Sequence, residues 1–214
     1  MKSFTIVAID GAAASGKTTT TKILADKYGF MRVSTGEHYR AITHKLLGMG
    51  VDPGDKSAVE RALEGTKIGS KIVGNRCVIT ISGNQVEDKL LRSTEINEHV
   101  TQFAHIARVR KFLFDYQRSQ ASIAREHGFF GLAIEGRDMT SVVFPDADLR
   151  FFLHADMDKR ERRRNHGMAM DPIAKRDLAD EYVTLWQDGV IRIDTGFHDL
   201  QSVVNIISKY VEEL

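Results

Sequence analysis

Eight consecutive residues near the start of the chain have the types and the spacing of a phosphate-binding loop. The pattern G-x-x-x-x-G-K-[ST] is matched by Gly11, Ala12, Ala13, Ala14, Ser15, Gly16, Lys17 and Thr18, and Thr19 follows. The two glycines permit backbone angles and a close approach that a side chain would obstruct. Successive backbone N–H groups, and the N-terminus of a helix after the loop, would then surround a phosphate with partial positive charge.

The end of this loop predicts the ligand more closely. Lys17 can reach the β- and γ-phosphates of a nucleoside triphosphate, and the hydroxyl of Thr18 can ligate Mg²⁺. A buried strand is predicted before the loop at Phe4–Ile9, and a helix-forming segment follows it at Thr18–Tyr28. The alternative is an ordinary junction of strand, turn and helix, but a chance match in a chain this long has a frequency on the order of 1%. We therefore expect a site for nucleotide phosphates.

A phosphate loop identifies a bound nucleotide and leaves the reaction open. Arginines elsewhere occupy positions where a second, acceptor phosphate would need them: Arg40, Arg110, Arg137 and Arg176. Arginine suits this task because its planar guanidinium forms paired hydrogen bonds with phosphate oxygens. The sequence has no N-K-x-D motif of a GTPase, and 214 residues leave little room for the track-binding domain of a motor. A kinase is favoured over both.

Composition and charge limit the class of partner. The chain has 30 Lys and Arg against 29 Asp and Glu, a net charge of +1, whereas general nucleic-acid binding requires many phosphates to be neutralised. The lone cysteine, Cys77, excludes an intrachain disulfide and fits a reducing compartment. No apolar run approaches the roughly 18 residues of a membrane span, and the first run is closed by Asp10. We expect a cytoplasmic protein with neither nucleic-acid nor membrane partners.

The elements that must position these residues follow from the hydrophobic pattern. Near-continuous apolar runs, separated by helix-like segments, predict buried strands at Phe4–Ile9, Phe30–Val33, Phe130–Glu135, Leu149–His154 and Val190–Asp194. Such strands favour a parallel sheet covered on both faces. The predicted fold is therefore α/β, of the P-loop NTPase type, with a five-stranded parallel sheet flanked by helices.

One region breaks this alternation of strands and helices. Residues 66–90 are rich in β-formers and contain the turn pair Gly74-Asn75, so they predict a small antiparallel insert. Residues 94–127 look helical, with a break near Ala107. At the end of the chain, a helical period places six apolar side chains on one face: Leu200, Val203, Val204, Ile207, Val211 and Leu214.

Several segments, in order along the chain, resemble the bacterial cytidylate (CMP/dCMP) kinases of the nucleoside monophosphate kinase family. They are Ile9-Asp10-Gly11, the turn Ser34-Thr35-Gly36 with Tyr39-Arg40, Leu91–Ile96, Arg108-Val109-Arg110, and Gly136–Met139 with Val142–Ala147. The last pair is long and highly specific. The resemblance implies one domain over 1–214, with a core (1–35, 128–157 and 189–214), an acceptor-binding region containing the β insert (36–127) and a helical lid (158–188).

The resemblance also assigns roles to individual residues. Those that would bind the acceptor nucleotide are Thr35 and Arg40, Thr101 and Arg110 near the cytosine, Arg137 at the phosphate, Asp138 at the cytosine amino group, and Arg176 with Asp180, the latter at the ribose. The loop residues from Gly11 to Thr19 would bind ATP, with Mg²⁺ on Thr18. A helix cap or an ion-pair partner is the alternative role for Asp138.

The chemistry of the reaction agrees with these roles. Cytosine presents an amino group that can donate a hydrogen bond to a carboxylate, whereas uracil presents a carbonyl oxygen at the same position. Two acceptors would then face each other at Asp138, and this mismatch would cost on the order of 1–3 kcal/mol of binding free energy. Because the attacking oxygen belongs to an anionic phosphate, no general base is required. Catalysis then consists of in-line positioning and charge neutralisation. The expected catalytic residues are Lys17, Arg137, Arg176 and, from the basic run 160–164 of the lid, Arg163.

Three features depart from the family pattern. Glu135 stands where relatives commonly carry Asp, the loop between Arg164 and Arg176 is shorter, and residues 181–183 replace further arginines. The leading expectation is a monomeric enzyme that transfers the γ-phosphoryl group of ATP to CMP or dCMP. A kinase for UMP or another small acceptor, and a nucleotide-binding regulator with little turnover, stay open as alternatives.

Overall fold

The computed structural model describes residues 4–160 and 188–214. Its elements, in chain order, are β1 (Thr5–Gly11), α1 (Lys17–Tyr28), β2 (Phe30–Ser34), α2 (Thr35–Gly48), α3 (Lys56–Glu64), β3 (Ile68–Val73), β4 (Arg76–Ile81), β5 (Asn84–Gln85), α4 (Asp88–Leu91), α5 (Thr94–Ala104), α6 (Ala107–Glu126), β6 (Gly131–Gly136), a π-helical turn (Met139–Val143), β7 (Leu149–His154), β8 (Ile191–Asp194) and α7 (Leu200–Glu212). They fall into two compact units. The first unit holds the described residues of Met1–Ser34 and Gln120–Leu214, and the second unit is Thr35–Ser119.

Five parallel strands form the sheet of the first unit, in the order β2-β6-β1-β7-β8. Strand β1 lies in the middle, where its Asp10 is paired with Gly136 of β6 and with Phe152 of β7. All of β6 and most of β1 are buried. Burial on both faces explains the near-continuous apolar sequence of these strands. The predicted parallel sheet flanked by helices is confirmed, although the described residues form a sheet of eight strands where five were predicted.

Helices α1 and α7 pack their apolar side chains into the core of the first unit. Val7 of β1, Leu24 of α1 and Phe151 of β7 are completely buried in one cluster with side chains of α7. The predicted apolar face of α7 is buried at Val203, Val204, Ile207 and Val211 and exposed at its two ends, Leu200 and Leu214. No helix among the described residues has the length and apolar character needed to cross a membrane.

The second unit contains the predicted antiparallel insert. Strands β3 and β4 pair through Val73 and Arg76, so Gly74-Asn75 forms the turn, with Gly74 at a φ of +61°. Strand β5 pairs with the end of β4. The sequence did not predict β5, because two exposed polar residues carry no apolar period. Cys77 is buried in β4, as expected for a small apolar packing residue.

The helices of the second unit differ from the sequence prediction at α4, whose residues Asp88–Leu91 overlap the end of the predicted β insert (66–90), and at the start of α2. The predicted turn at Ser34-Thr35-Gly36 is instead the direct passage from β2 into α2, which begins at Thr35. Arg76 of β4 anchors this first turn of α2, since its Nη2 lies 2.8 Å from Glu37 Oε2. The predicted break near Ala107 is confirmed, because α5 ends at Ala104 and α6 begins at Ala107.

Candidate active site

The loop between β1 and α1 has a backbone that only a few residue types can adopt. Gly11 has a φ of +151°, and a Cβ added there would lie 2.1 Å from the carbonyl oxygen of Leu153. Gly16 has a φ of +94° at the N-cap of α1. Ala14 also takes a left-handed conformation, with a φ of +58°, which costs a non-glycine residue about 1–2 kcal/mol. Strain of this kind concentrates where a loop is shaped for a ligand.

The polar groups of this loop fit a bound phosphate. Gly16 supplies no side-chain cap to α1, and the first turn of α1 contains no acidic residue. The first hydrogen bond of the helix is the one that Thr20 N donates to Gly16 O at 3.0 Å. The backbone amides of Thr18 and Thr19 come before it in the chain, in the first turn of α1, where amides have no acceptor within the helix. Inside the loop, the buried Ser15 Oγ has no hydrogen-bond partner among the described residues. An anion bound there would satisfy these donors.

Lys17 is held across the loop that it follows. Its ammonium group donates to the carbonyl oxygens of Gly11 and Ala12, both at 2.7 Å. The Lys17 residue is nearly buried, with 9% of its surface exposed. A positive charge is thus fixed at the start of the loop, where the sequence places the nucleotide phosphates.

A carboxylate connects three elements beside this loop. Glu135, near the end of β6, accepts hydrogen bonds at Oε1 from Thr18 Oγ1 at 2.9 Å and from Ser34 Oγ at 2.5 Å. Glu135 is almost fully buried. A hydroxyl that donates its hydrogen to a carboxylate keeps its lone pairs for a cation, and oxygen ligands suit Mg²⁺. Thr18 and Glu135 therefore fit the predicted ion.

Arg137 and Asp138 follow directly after β6, and both are partly exposed. The π-helical turn begins at the next residue, Met139. Asp138 occupies the N-cap position of this turn, but its side chain makes no capping hydrogen bond. The alternative role of Asp138 as a helix cap is therefore wrong.

The carboxylate that does hold this turn belongs to Asp10. Its Oδ1 accepts from Met139 N at 2.9 Å, and its Oδ2 accepts from Thr140 N at 2.8 Å and Thr140 Oγ1 at 2.7 Å. Burial raises the pKa of Asp10 to about 6, and the charge of Asp138 adds to the rise, although the hydrogen bonds from Thr140 and Met139 oppose it. Burial and hydrogen bonding thus act in opposite directions on this carboxylate.

In the second unit, Arg40 is oriented by two partners. Its Nη1 donates to Leu91 O at 2.8 Å and to Asn97 Oδ1 at 2.7 Å. Asn97 and Thr101 are four residues apart on α5 and therefore share one face of that helix. The side chain of Arg40, which belongs to α2, therefore contacts the helix that carries Thr101. Asn97 was not predicted from the sequence, although its i,i+4 spacing to Thr101 was the available signal.

A family model described as cytidylate kinase matches residues 7–213. The chain belongs to the cytidylate kinase family. Among its relatives, a cytidylate kinase of Streptomyces avermitilis is 32% identical, covering 97% of this chain and 93% of that protein. A cytidylate kinase of Pelotomaculum thermopropionicum is 36% identical, covering 79% of this chain and 72% of that protein.

A solved structure supports the fold of this cytidylate kinase family member independently. An unliganded sugar kinase from a Janibacter species has a TM-score of 0.52 at 14% identity, and the match covers 98% of this chain and 95% of that chain. At such an identity the likeness concerns the fold alone. It agrees with the parallel sheet and flanking helices described above.

The remaining predicted site residues divide into two groups. Thr35 is buried at the start of α2, and Arg110 is exposed on α6, both in the second unit. Arg163, Arg176 and Asp180 lie outside the described residues, as does most of the predicted lid.

Arg160, the first arginine of the basic run, is described and lies against the phosphate loop. It is 6% exposed, and its guanidinium donates to Ala155 O at 2.8 Å and to Ala13 O at 3.4 Å. The sequence predicts that this run belongs to a lid, with Arg163 as its catalytic member. The contact with Ala13 could not be read from a run of charges, since such runs are usually solvated.

Proposed function

We propose that this member of the cytidylate kinase family transfers the γ-phosphoryl group of ATP to CMP or dCMP, giving ADP and the corresponding diphosphate. One observation carries the proposal. Asp10, the residue before the phosphate loop, also binds the backbone directly after Arg137 and Asp138. The loop proposed for ATP and two of the residues proposed for the acceptor, Arg137 and Asp138, are thereby tied to the same residue.

The proposed chemistry needs positive charge more than it needs a base. The attacking oxygen belongs to the anionic phosphate of CMP, so the protein has to align two anions and neutralise the transferring group. Lys17 and Arg137 supply fixed positive charge within the first unit. Mg²⁺, held by Thr18 with Glu135 beside it, would neutralise further charge on the phosphates of ATP. Arg163 and Arg176 remain proposed from the family resemblance.

The choice between acceptor nucleotides is proposed to depend on which base groups donate hydrogen bonds and which accept them. The carboxylate of Asp138 would accept a hydrogen from the amino group of cytosine, while Thr101 and Arg110 would serve its acceptor edge. With uracil, the carboxylate would face a carbonyl oxygen, and a buried mismatch of two acceptors lowers affinity. CMP should therefore be preferred over UMP.

The acceptor phosphate and ribose have separate proposed partners. Arg40, oriented by Leu91 and Asn97, would bind the phosphate together with Arg137. Thr35 would lie at the acceptor, and Asp180 would bind the ribose. Mg²⁺ as the metal, a monomeric state, a cytoplasmic location, the absence of nucleic-acid and membrane partners, and the division into core, acceptor region and lid remain predictions.

The experiment that tests the proposal is a coupled assay of ADP release with CMP, dCMP, UMP, AMP and shikimate as acceptors. The proposal predicts the highest kcat/KM with CMP or dCMP. A maximum with UMP, AMP or shikimate would identify a kinase for another acceptor. Tight ATP binding with no ADP release for any acceptor would instead support the regulator, which the departures at 181–183 permit.

A further inference from the structure

The side chain of Asp10 lies at the end of the strand that leads into the phosphate-binding loop. It is completely buried, and its carboxylate accepts the three hydrogen bonds from Met139 and Thr140 described above. Thr140 is also completely buried. Disturbing a buried carboxylate with three donors is energetically costly, because any donor that loses its acceptor has no water to replace it.

The same residue fixes the chain on the other side of Arg137 and Asp138. In the pairing of β1 with β6, Asp10 lies opposite Gly136. Gly136 is therefore held by the sheet, and Met139 and Thr140 are held by the Asp10 side chain. Only Arg137 and Asp138 lie between these two fixed points.

Asp10 also borders the phosphate loop directly. Gly11, the next residue, has no space for a side chain, because a Cβ would meet the backbone of β7. The position of Asp10 is thus fixed from the loop side as well. A displacement of its carboxylate would be transmitted to Arg137 and Asp138 more readily than to the loop backbone.

We infer that Asp10 is a positioning residue for acceptor recognition, which sets where Arg137 and Asp138 present their side chains and thereby sustains the choice of cytosine over uracil. This inference rests on the proposed roles of Arg137 and Asp138. Asp10 touches no reacting atom. It acts through two backbone amides and one hydroxyl, so its loss should misplace the acceptor and leave ATP binding intact.

The test uses two independent ways of weakening this contact in the full chain. Asp10→Asn replaces one acceptor oxygen with an NH₂ group, and Thr140→Val removes only the hydroxyl donor. We expect Asp10→Asn to raise the KM for CMP about tenfold and to lower the CMP:UMP ratio of kcat/KM about tenfold, because small misplacements of a bound substrate are costly. The Kd for ATP, measured without acceptor, should change less than about twofold. Thr140→Val should shift both acceptor values in the same direction, and Thr140→Ser should restore them.

A matched control separates positioning from stability. Asp199 likewise accepts a backbone N–H, that of Ser202 at 2.7 Å, at the start of α7. Asp199→Ala removes this cap, so it should lower the melting temperature and leave the CMP:UMP ratio unchanged. If Asp10→Asn does not fold, the comparison of Thr140→Val with Thr140→Ser decides the question.

The outcomes distinguish this inference from the proposed function. A wild-type enzyme that does not phosphorylate CMP would overturn the proposed function, and this inference with it. A wild type that prefers CMP, combined with folded Asp10→Asn or Thr140→Val variants that keep the wild-type KM and selectivity, would overturn the role of Asp10 alone.

Discussion

Thr18 donates its hydroxyl hydrogen to Oε1 of Glu135 across 2.9 Å, joining the first turn of α1 to the end of β6. The two residues are 117 positions apart in the sequence. The same carboxylate oxygen accepts from Ser34 at the end of β2. The ends of β2 and β6 and the start of α1 thus converge on one buried carboxylate beside the phosphate loop.

Glu135→Gln should impair catalysis more than acceptor binding. The amide keeps the size of the side chain and one oxygen that can accept from both Thr18 and Ser34, but it has no negative charge beside the proposed Mg²⁺. We expect kcat to fall by at least about tenfold, the Mg²⁺ concentration for half-maximal rate to rise, and the KM for CMP to change little. Magnesium titrations of the initial rate measure this. A variant with the wild-type rate and the wild-type magnesium dependence would show that Glu135 has only a structural role.

Lys17→Ala should nearly abolish turnover with every acceptor. The change removes the ammonium group that lies across the loop at Gly11 and Ala12, and the loss of one charged transition-state contact lowers kcat by at least about a hundredfold. Lys27→Ala is the matched control, because Lys27 lies on the same helix and pairs with Glu212 at the surface. Single-turnover kinetics with CMP and with UMP provide the measurement. Substantial residual turnover in folded Lys17→Ala would contradict the assigned role.

Asp138→Ala should narrow the preference for CMP over UMP. Removing the carboxylate takes away the acceptor for the cytosine amino group and also the mismatch with the uracil carbonyl. We expect the ratio of kcat/KM values to fall by about five- to a hundredfold, the equivalent of one buried polar mismatch. Steady-state kinetics with both nucleotides test this. An unchanged ratio would assign Asp138 a purely structural function.

The pH dependence of stability should depend on His38. This residue of α2 is fully buried, neither of its ring nitrogens has a hydrogen-bond partner among the described residues, and it packs edge-on against Tyr116 with ring centroids 4.9 Å apart. Burial lowers the pKa of His38 from 6.5 to about 3. Because the unfolded chain takes up the proton first, stability from this group is present above about pH 6.5 and is lost as the pH falls towards 3.

His38→Met should therefore reduce the sensitivity of the protein to acid. Between pH 7.5 and pH 5, the free energy of unfolding of the wild type should fall by about 2 kcal/mol more than that of the variant. Urea denaturation at a series of pH values measures the difference, with His127→Met as the control for loss of an exposed imidazole. Identical pH slopes for the wild type and His38→Met would contradict the assignment.

Local patterns predicted much of the fold. The loop from Gly11 to Thr18 and the strand and helix on either side of it are encoded in neighbouring residues, and so is the hairpin at Gly74-Asn75. The apolar face of α7 was predicted from its period, and burial confirms its centre. The two-residue strand β5 and the start of α2 at Thr35 were not predicted, since neither changes the local hydrophobic pattern.

Less of the candidate site could be predicted from the sequence, because its contacts join residues that are far apart along the chain. Asp10 and Thr140 are 130 positions apart, and Arg40 and Asn97 are 57 apart. Asp10 closes an apolar run and belongs to the segment Ile9-Asp10-Gly11 of the family resemblance, but neither pattern indicates its contacts with Met139 and Thr140. A single sequence does not indicate which of its many carboxylates accepts a hydrogen bond from a distant backbone amide. The structure identifies Asp10 as that carboxylate.

The most direct test of the central claim is a competition between CMP and UMP. Equal concentrations of both nucleotides, limiting ATP and a single preparation of the enzyme give CDP and UDP in the ratio of the two kcat/KM values, which chromatography of the products measures. The account predicts CDP in excess by at least about tenfold, since a cytosine-reading carboxylate penalises uracil. Equal amounts of CDP and UDP, or an excess of UDP, would contradict it.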